Sequence, residues 1–470
     1  MTLQIPFENT YAALPERLFS RQKPTPVRSP KLIAYNAALG AELGFKETQD
    51  ETELAQVFSG SVLPDGADPI AQLYAGHQFG NWNPQLGDGR AVLLGESNGY
   101  DIQLKGSGPT PFSRRGDGRA WMGPVLREYV MSEAMHALRV PTTRALAAVA
   151  TGEEVFRERP LPGAVLTRVA SSHIRVGTFQ VLAARQDLDG LRALFEFACA
   201  RHYPHVSDPA EFLQSVIKRQ ADLVAHWMSF GFIHGVMNTD NCTISGETID
   251  YGPCAFMDEF HPGKVFSSID RNGRYAYGNQ PDISVWNMAQ LATALLPLED
   301  NSDSAVAQFT DVVHNMPDLI RTAWRNRFAA KLGIAKPAQT DEQLISRLLS
   351  IMTDKRSDFT NTFRSLTEDT WQITELTSST EWPAWLEDWQ THLEAQPEDP
   401  KEIMSKANPV RIPRNHNVEA MIKKAVDGDY GPFFALNTAL SKPFERSSEF
   451  QRYTLPPQPE ETVTQTFCGT

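Results

Sequence analysis

Hydrophobic and polar positions in the first 185 residues follow the pattern of strands more often than that of helices. The segments 91–96 (AVLLGE) and 100–106 (YDIQLKG) predict the two strands of a hairpin that turns at Ser-Asn-Gly. A helical period follows over 124–138, and the segments 154–160 and 163–170 predict a second set of strands. We therefore expect this part of the chain to fold around a sheet.

From residue 187 onward, apolar residues recur with the 3.6-residue period of amphipathic helices. This period predicts helices over 188–202, 209–230, 284–296, 303–333, 341–352, 382–394 and 417–427. The first 60 residues mix Pro, Asn and short apolar segments, which indicates an irregular segment with one helix near 31–43.

A sheet-rich part followed by a helical part predicts an α+β fold with two lobes that meet near residues 180–190. The predicted units are an N-terminal extension over 1–60, an N-lobe over 61–185, a helical C-lobe over 186–400 and a C-terminal extension over 401–470.

The composition excludes several classes of protein. The chain has 470 residues and a formal net charge of −13, whereas a surface that binds DNA or RNA normally leaves a basic footprint. No apolar run approaches the roughly 18 to 20 residues of a membrane span, and the first residues lack the pattern of a targeting signal. The four cysteines show neither a disulfide framework nor paired metal-ligand spacing. We expect a cytoplasmic protein with no nucleic-acid polymer and no membrane among its partners.

The strongest chemical motif is HGVMNTDN at 234–241, followed by DYG at 250–252. Phosphotransferases of the kinase type use H-x-D-x-x-x-x-N and then D-F-G, in which the Asn and the second Asp hold magnesium. Asn241 and Asp250 have these two positions and are the predicted metal ligands, since Mg²⁺ prefers oxygen donors. The alternative is a helix-turn-strand connection whose polar residues are incidental.

This loop departs from the kinase pattern at one position. The first Asp of the kinase loop positions the acceptor hydroxyl, but Val236 stands in its place and cannot accept a proton. Asp240, beside the Asn, is the nearby carboxylate that can, and we predict that it acts as the proton acceptor.

Lys105, at the end of a predicted strand, is the second candidate. A kinase-like fold needs a strand Lys on the nucleotide phosphates, held by a Glu of the following helix. Glu128 lies 23 residues further on, inside the predicted helix, and Glu133 is the second possible partner. Without the loop described above, such a Lys would be an ordinary surface residue.

The pentapeptide Gly-Asp-Gly-Arg-Ala occurs twice, at 87–91 and 116–120, on either side of the Lys105 strand. Gly-rich turns let backbone N–H groups approach phosphate oxygens, and Arg adds a bidentate contact. Arg168 and Arg175 could add further positive charge, although a surface ion pair explains each of them equally well.

Other conspicuous residues favour structural roles. The segment AGHQFG at 75–80 could bring His77 near the site, but a turn with a hydrogen-bonded His is the favoured interpretation. Trp121, Trp227 and Trp286 are predicted core residues.

Together these motifs resemble one family closely, the selenoprotein O (SelO) family of kinase-fold protein adenylyltransferases. The resemblance extends over essentially the whole chain. The matching segments are AGHQFG (75–80), QLGDGRA (85–91), LKGSGPTPFSRRGDGRA (104–120), RE (127–128), PTTRAL (141–146), HGVMNTDN (234–241), DYGP (250–253), NQP (279–281) and RNH (414–416).

The resemblance implies a two-lobed protein-kinase-like fold that looks like a pseudokinase but transfers AMP. Family members bind ATP in a flipped orientation, transfer AMP to Ser, Thr or Tyr hydroxyls of proteins and release pyrophosphate; self-modification is a further possibility. By position, the ATP-binding residues would be Gly87, Gly89, Arg90, Lys105, Asp117, Gly118, Arg168 and Arg175, with Glu128 paired to Lys105. Asp240 would accept the proton, and Asn241 and Asp250 would bind Mg²⁺ or Mn²⁺.

The resemblance also concerns a cysteine near the C-terminus. Some members form a redox latch between such a Cys and another one shortly after DYG. Cys468 has the first position, but the corresponding stretch 265–268 reads Val-Phe-Ser-Ser, so the second Cys is absent. Cys254 is the substitute partner within reach in the sequence, and a buried structural Cys is the other interpretation of it.

Two alternative functions stay open on the sequence alone. One is a kinase-type phosphotransferase that acts on a protein or a small molecule, which the HG…N…DYG pattern would also suit. The other is a nucleotide-sensing scaffold, against which the complete set of Asp240, Asn241 and Asp250 argues, since a scaffold needs no metal ligands.

Overall fold

A computed structural model describes residues 3–46 and 50–467 of the chain. The strands lie almost entirely in the first 170 residues, as the sequence pattern predicts. They are β1 (Phe19–Arg21), β2 (Lys31–Tyr35), β3 (Ile70–Gln72), β4 (Gly76–Gln78), β5 (Asn81–Asn83), β6 (Ala91–Ser97), β7 (Tyr100–Lys105), β8 (Ala120–Trp121), β9 (Arg144–Phe156), β10 (Pro160–Ala170), β11 (Phe232–Ile233) and β12 (Ala255–Phe256).

Helices dominate the remainder of the chain. They are α1 (Ala37–Glu42), α2 (Glu51–Phe58), α3 (Met122–Ala137), α4 (Val176–Ala184), α5 (Leu188–His202), α6 (Pro209–Ser229), α7 (Gln280–Leu295), α8 (Ser302–His314), α9 (Met316–Lys331), α10 (Asp341–Lys355), α11 (Phe359–Thr367), α12 (Trp382–Glu394), α13 (Pro400–Ala407), α14 (Asn415–Val426) and α15 (Gly431–Leu440). A sheet-rich N-terminal region followed by a helical C-terminal region is the arrangement of a kinase-like two-lobed fold, which confirms the predicted fold class.

The sheet of the N-terminal region is antiparallel, with its strands in the order β1-β3-β6-β7-β10-β9-β2, and β8 pairs with β10. β6 and β7 form the predicted hairpin, and its turn has Asn98 and Gly99 at positive φ. Helix α3 packs on β9 and β10. Pro124 is tolerated in α3 because it lies in the first turn, where the backbone N–H groups have no helical partner.

Helices near the C-terminus lie behind α3. Both α14 and α15 pack against α3, and they share one apolar core with it. Arg127 of α3 also bonds to Glu419 of α14 at 2.9 Å and to the carbonyl of Cys254 at 2.5 Å. The C-terminal segment therefore fixes the position of the helix that carries Glu128.

Two sequence predictions of helices are wrong in part. The segment 31–43 begins as strand β2, which pairs with β9, and only after Asn36 caps α1 does the chain become helical. The single helix predicted over 303–333 is two helices, α8 and α9, which meet at Asn315. Pro317 explains the break, because Pro lacks the N–H that a continuous helix would need and its ring clashes with the preceding turn.

The chain end that the structure describes returns to the middle of the molecule. Thr466 forms a parallel bridge with Ser267, and its hydroxyl donates to the carbonyl of Pro253 at 2.5 Å. Thr466 thus lies against the stretch 265–268, where the family resemblance would place a second Cys. Cys468 lies outside the described residues.

Among the residues that the structure describes, there is no helix long and apolar enough to cross a membrane.

Lys331 is an unusual residue of the helical core. It is 2% exposed, and its ammonium group lies 4.3 Å from the ring centre of Phe363 and 5.5 Å from that of Phe359. No carboxylate of the described residues lies within 4.0 Å of it. Burial lowers the pKa of Lys331 to about 7, while the aromatic rings favour its charged form.

We predict that Lys331→Met stabilises the protein more at pH 6.5 than at pH 9.5. The pKa of this Lys in the folded state is below its unfolded value of 10.5, so unfolding takes up a proton between about pH 7 and pH 10.5, and stability rises with pH over that range. Replacing the charge by an apolar side chain of similar length should add roughly 1–3 kcal/mol at the lower pH. Urea denaturation at the two pH values measures the difference.

Lys336→Met is the matched control, because the side chain of Lys336 is 84% exposed. Its effect on the free energy of unfolding should be small and equal at both pH values. An equal effect of Lys331→Met at both pH values would contradict the prediction.

Candidate active site

A cavity of about 790 Å³ lies between the sheet and the loops of the helical region. All the residues that the sequence predicts for the site line this one cavity. They are Gly87, Gly89, Arg90, Lys105, Asp117, Gly118, Glu128, Arg168, Arg175, Asp240, Asn241 and Asp250. The structure therefore brings together residues that are up to 163 positions apart, as 250 − 87 = 163.

Lys105 bonds to two carboxylates. Its ammonium group lies 2.6 Å from Oε2 of Glu128 and 2.6 Å from Oδ1 of Asp250. The first contact is the strand-to-helix pair that the sequence predicts. The second possible partner, Glu133, bonds instead to Arg144 at 2.8 Å.

Two buried arginines add to the positive charge. Arg168 lies 2.8 Å from Oδ1 of Asp250 and 3.2 Å from Glu128. Arg175, just before α4, lies 3.7 Å from Oδ2 of Asp250, and its guanidinium group is 4.3 Å from the ring centre of Tyr74. Neither arginine is a surface residue, since each is 2% exposed.

These cations determine the charge of Asp250. Burial alone would raise the pKa of its carboxyl group, but Lys105, Arg168 and Arg175 hold that pKa well below the ordinary value. Asp250 is thus a carboxylate, and three cations surround the place that it occupies. Its Oδ1 accepts from Lys105 and Arg168, while its Oδ2 has only the longer contact with Arg175.

The strand register explains why these side chains meet. Gln103 and Arg168 are directly opposite each other on β7 and β10, and Lys105 lies two residues after Gln103. Since residues two apart in a strand face the same way, all three side chains extend from one face of the sheet.

Gln103 and Asp88 form a buried bridge behind the arginines, which the sequence analysis missed. Gln103 accepts from Arg168 at 2.6 Å and donates to Asp88 at 3.0 Å. Asp88 lies 3.9 Å from Arg175, and burial raises its pKa. Two hydrogen bonds therefore link Arg168 to Asp88 through Gln103, and a longer ion pair continues from Asp88 to Arg175. The position of Gln103, two residues before the strand Lys, is a signal that could have indicated this role.

The Gly-rich turns occupy the rim of the cavity. Gly87 has a φ of +99° and Gly118 a φ of +67°, and a side chain on Gly118 would overlap the backbone of Gly108. Asp117 bonds to Arg157 at 2.9 Å, so its carboxylate is already paired. Among the described residues, Arg90 has no carboxylate within 4.0 Å, which leaves its guanidinium group available to a ligand.

Asp240 lines the same cavity as Lys105, Arg168 and Arg175. It is 6% exposed, and burial raises its pKa to about 6. Its Oδ2 accepts from Gln78 at 3.2 Å, whereas its buried Oδ1 has no hydrogen-bond partner among the described residues. Gly76 allows this close approach, because a side chain there would overlap the carboxylate.

The loop that carries Asp240 is held from both ends. His234, which follows β11, bonds through Nε2 to the carbonyl of Ile249 at 2.8 Å. Asn241 donates to the carbonyl of Val236 at 3.0 Å, which fixes the orientation of its amide. Val236 is 4% exposed and apolar, so the kinase-type proton acceptor has no counterpart at that position.

The hairpin of β4 and β5 reaches the loop from the N-terminal region. The backbone N–H of His77 donates to Thr239 at 2.8 Å, and that of Phe79 donates to Asn238 at 3.0 Å. A structural turn with a hydrogen-bonded His is the interpretation that the sequence favours here, and His77 does bond to Gln180 at 3.0 Å. The turn also contacts the loop that carries Asp240, so His77 lies near the site as well.

The candidate donors for a divalent cation are the oxygen atoms of Asn241 and Asp250, which line the same cavity as Asp240. No group of three or more His, Cys, Asp or Glu that could hold a metal is found within 3–46 and 50–467. The set nevertheless fits a hard cation that takes its other ligands from phosphates and water, because the amide and carboxylate oxygens line the same cavity.

Cys254 lies under the DYG segment. Its thiol is fully buried and donates to the carbonyl of Tyr251 at 3.4 Å. Burial raises the pKa of this thiol to about 12, so very little thiolate is present at neutral pH. These properties favour the structural interpretation of Cys254 over a redox role.

Comparisons with known proteins give a consistent result. A family model described as protein adenylyltransferase SelO matches residues 1–441. A protein nucleotidyltransferase YdiU of a Ruegeria species is 59% identical over 475 residues, with 100% of each chain covered. Proteins of the same name from Roseobacter denitrificans and Ruegeria pomeroyi are 58% and 56% identical, again over 100% of both chains.

We predict that Gln103→Leu raises the KM for ATP roughly tenfold. The substitution keeps the side-chain volume approximately but removes the acceptor of Arg168 and the donor to Asp88, so Arg168 loses the partner that orients it and Asp88, 3.9 Å from Arg175, loses its hydrogen bond to Gln103. Initial rates at varied ATP concentration measure KM, and a thermal melt checks that the variant is folded.

Gln72→Leu is the matched control. Gln72 is also buried, at 2% exposure, but its side-chain amide makes no hydrogen bond with the described residues. Its KM for ATP should equal that of the wild type. An unchanged KM in Gln103→Leu would show that the bridge does not orient the arginines.

Proposed function

This chain belongs to the SelO family of protein adenylyltransferases, and we propose that it uses the cavity described above to transfer AMP from ATP to protein hydroxyl groups. Its relatives are named protein nucleotidyltransferases, and ATP is the substrate that adenylyl transfer implies. The proposal concerns the residues, the orientation of the nucleotide and the acceptor. The observation that carries it is that Asp240 lines the same cavity as Lys105, Arg168 and Arg175, and that these three cations gather around Asp250.

We assign the β- and γ-phosphates of ATP to Lys105, Arg168 and Arg175. Attack on the α-phosphorus expels pyrophosphate, whose negative charge is concentrated on two phosphate groups. Several cations close together are needed to stabilise that charge. Lys105, Arg168 and Arg175 would bind the leaving pyrophosphate. Arg90 and the turn at Gly87 line the same cavity and would contribute further donors to the phosphate oxygens. This placement corresponds to a flipped nucleotide, with the α-phosphate toward Asp240.

Asn241 and Asp250 would hold Mg²⁺ or Mn²⁺. The ion supplies charge neutralisation of the phosphates when it is bound. Two observations support this assignment. Among the described residues, the contact of Asp250 Oδ2 with Arg175 is long, at 3.7 Å, so this oxygen could bind an ion. The amide N–H of Asn241 donates to the carbonyl of Val236, so its amide oxygen could be the second ligand. Glu128 and Asp250 also offset two of the three cations, so a bound polyphosphate would leave excess negative charge without a metal.

Asp240 would accept the proton of the attacking hydroxyl. Its Oδ1 is buried against Gly76, and Gln78 holds Oδ2, so Oδ2 is the oxygen to which we assign the proton. The acceptor hydroxyl therefore has one defined proton acceptor. The oxygen of a Ser, Thr or Tyr side chain then forms the new bond to the α-phosphorus as the bond to the pyrophosphate oxygen breaks. The same chemistry would allow the protein to modify itself.

A kinase-type reaction is the alternative that this assignment opposes. Phosphoryl transfer would need the γ-phosphate next to the proton acceptor, and Val236 removes the acceptor of the kinase loop.

We predict that α-labelled ATP, and not γ-labelled ATP, transfers its label to protein in the presence of Mg²⁺. The reaction retains the α-phosphate on the acceptor and releases the other two as pyrophosphate. Incubation of the purified protein with a heat-inactivated cell lysate, and with lysate lacking the added protein as the blank, followed by gel autoradiography, measures both labels. Transfer of the γ-label alone would establish a kinase and overturn the proposal.

We predict that Asp250→Ala abolishes the transfer, and that Asp240→Asn lowers kcat by at least about 100-fold while ATP binding changes less than about threefold. The first variant loses a metal ligand, whereas the second loses only the proton acceptor. Rates and ATP affinities of both variants test these roles. Equal losses of kcat and of ATP affinity in Asp240→Asn would exclude a specific role as a base.

We predict that Gln78→Met lowers kcat roughly tenfold without changing the KM for ATP. Met keeps the length of the side chain but cannot donate to Asp240, so the carboxylate loses its fixed orientation. Gln85→Met is the control, since Gln85 bonds to Arg185 instead. A rise in the KM for ATP equal to the loss of kcat would indicate general damage to the fold.

A further inference from the structure

A cluster of aromatic side chains lies on the outer side of the β4–β5 hairpin. The ring of His77 is 4.8 Å from that of Trp82 and 5.2 Å from that of Trp286. Trp82 is 41% exposed, and Trp286, which the sequence analysis predicted as a core residue, is only half-buried.

Arg274 completes the cluster with a positive charge. Its guanidinium group lies 4.9 Å from the ring centre of Trp286 and 5.7 Å from that of Tyr275, and it passes next to Gly80 at the hairpin turn. Among the described residues, no carboxylate lies within 4.0 Å of this guanidinium group. The acid on the same loop, Asp270, accepts instead from the backbone N–H groups of residues 274 and 275.

We call His77, Trp82, Arg274 and Trp286 the acceptor face. This face is rigidly joined to the catalytic loop: the backbone of His77 bonds to Thr239, and the hydroxyl of Tyr275 donates to Asn238 at 2.6 Å. Thr239 and Asn238 immediately precede Asp240. A segment bound on the acceptor face would therefore lie beside the residue that takes the proton of the acceptor hydroxyl.

The composition of the acceptor face is that of a protein-binding site. Trp, Tyr and Arg are the residues that contribute most to binding energy at protein interfaces. A guanidinium group stacked on aromatic rings is partly dehydrated and keeps its N–H edge for a carboxylate. The chain as a whole has a net charge of −13, so an acidic partner is repelled at long range and needs a local cation to be held here.

We propose that the acceptor face binds the acceptor protein through a segment that carries a carboxylate side chain close to the hydroxyl to be modified. The carboxylate would pair with Arg274, and an apolar or aromatic neighbour would pack on Trp82 and Trp286. This inference rests on the proposed function and adds a property of the acceptor to it.

Peptide substrates test the acceptor face. Each pair of peptides carries one Tyr, Ser or Thr and differs only in the flanking residues, which are Asp in one peptide and Lys in the other. The wild-type protein should modify the Asp peptide with a kcat/KM at least about fivefold higher. Arg274→Met should remove this preference, and Arg274→Glu should reverse it, while the KM for ATP stays unchanged in both.

Two further variants complete the test. Arg271→Met is the matched control, because Arg271 is exposed, three residues away, and outside the acceptor face; it should keep the wild-type preference. Trp82→Ala should raise the KM for both peptides and leave the KM for ATP unchanged. This variant tests the aromatic part of the face independently of the charge.

The outcomes separate the inference from the proposed function. If the wild-type protein transfers no α-label to any peptide or lysate protein, the proposed function fails and this inference fails with it. If label is transferred but the wild type shows no preference for Asp, or if the Arg274 variants keep that preference, the acceptor face is wrong and the proposed function stands.

Discussion

The pairing of one carboxylate with three cations is the interaction on which the rest of the site depends. Lys105, Arg168 and Arg175 are largely withdrawn from solvent, and such charges are tolerated when they are paired and hydrogen-bonded, so Asp250 lies where all three can reach it. That requirement links β7, β10, the start of α4 and the DYG segment. It also requires α3 to present Glu128, which the packing of α14 and α15 behind α3 makes possible.

Asp240 shows that both regions of the fold build the catalytic loop. The loop belongs to the helical region, yet Gly76 and Gln78 of the N-terminal region are in contact with its carboxylate. Gly177 of α4 is equally close-packed, against the carbonyl of Ala75. Neither Gly76 nor Gly177 has space for a side-chain methyl group. The orientation of Asp240 is therefore set by backbone packing as well as by its hydrogen bond to Gln78.

The sequence predicted local features well and tertiary ones poorly. The β6–β7 hairpin and the helix with Glu128 follow from short-range patterns, and the Lys105–Glu128 pair follows from spacing within a known fold. Strand β2 was missed because its partner, β9, is more than 100 residues away, as 147 − 35 = 112. The contact of Gln78 with Asp240 spans 162 residues, and no pattern within either segment indicates it.

Asp250 has a φ of +62°, in the left-handed region that only Gly, Asn and Asp adopt readily. The same position must supply a carboxylate, so backbone geometry and chemistry select the same residue. The two substitutions that the backbone accepts, Asn and Gly, are each one nucleotide away from Asp in the genetic code. Descendants of this chain can therefore lose the carboxylate without straining the backbone there, and the cost of the change would fall on Lys105, Arg168 and Arg175, which would lose the charge that offsets them.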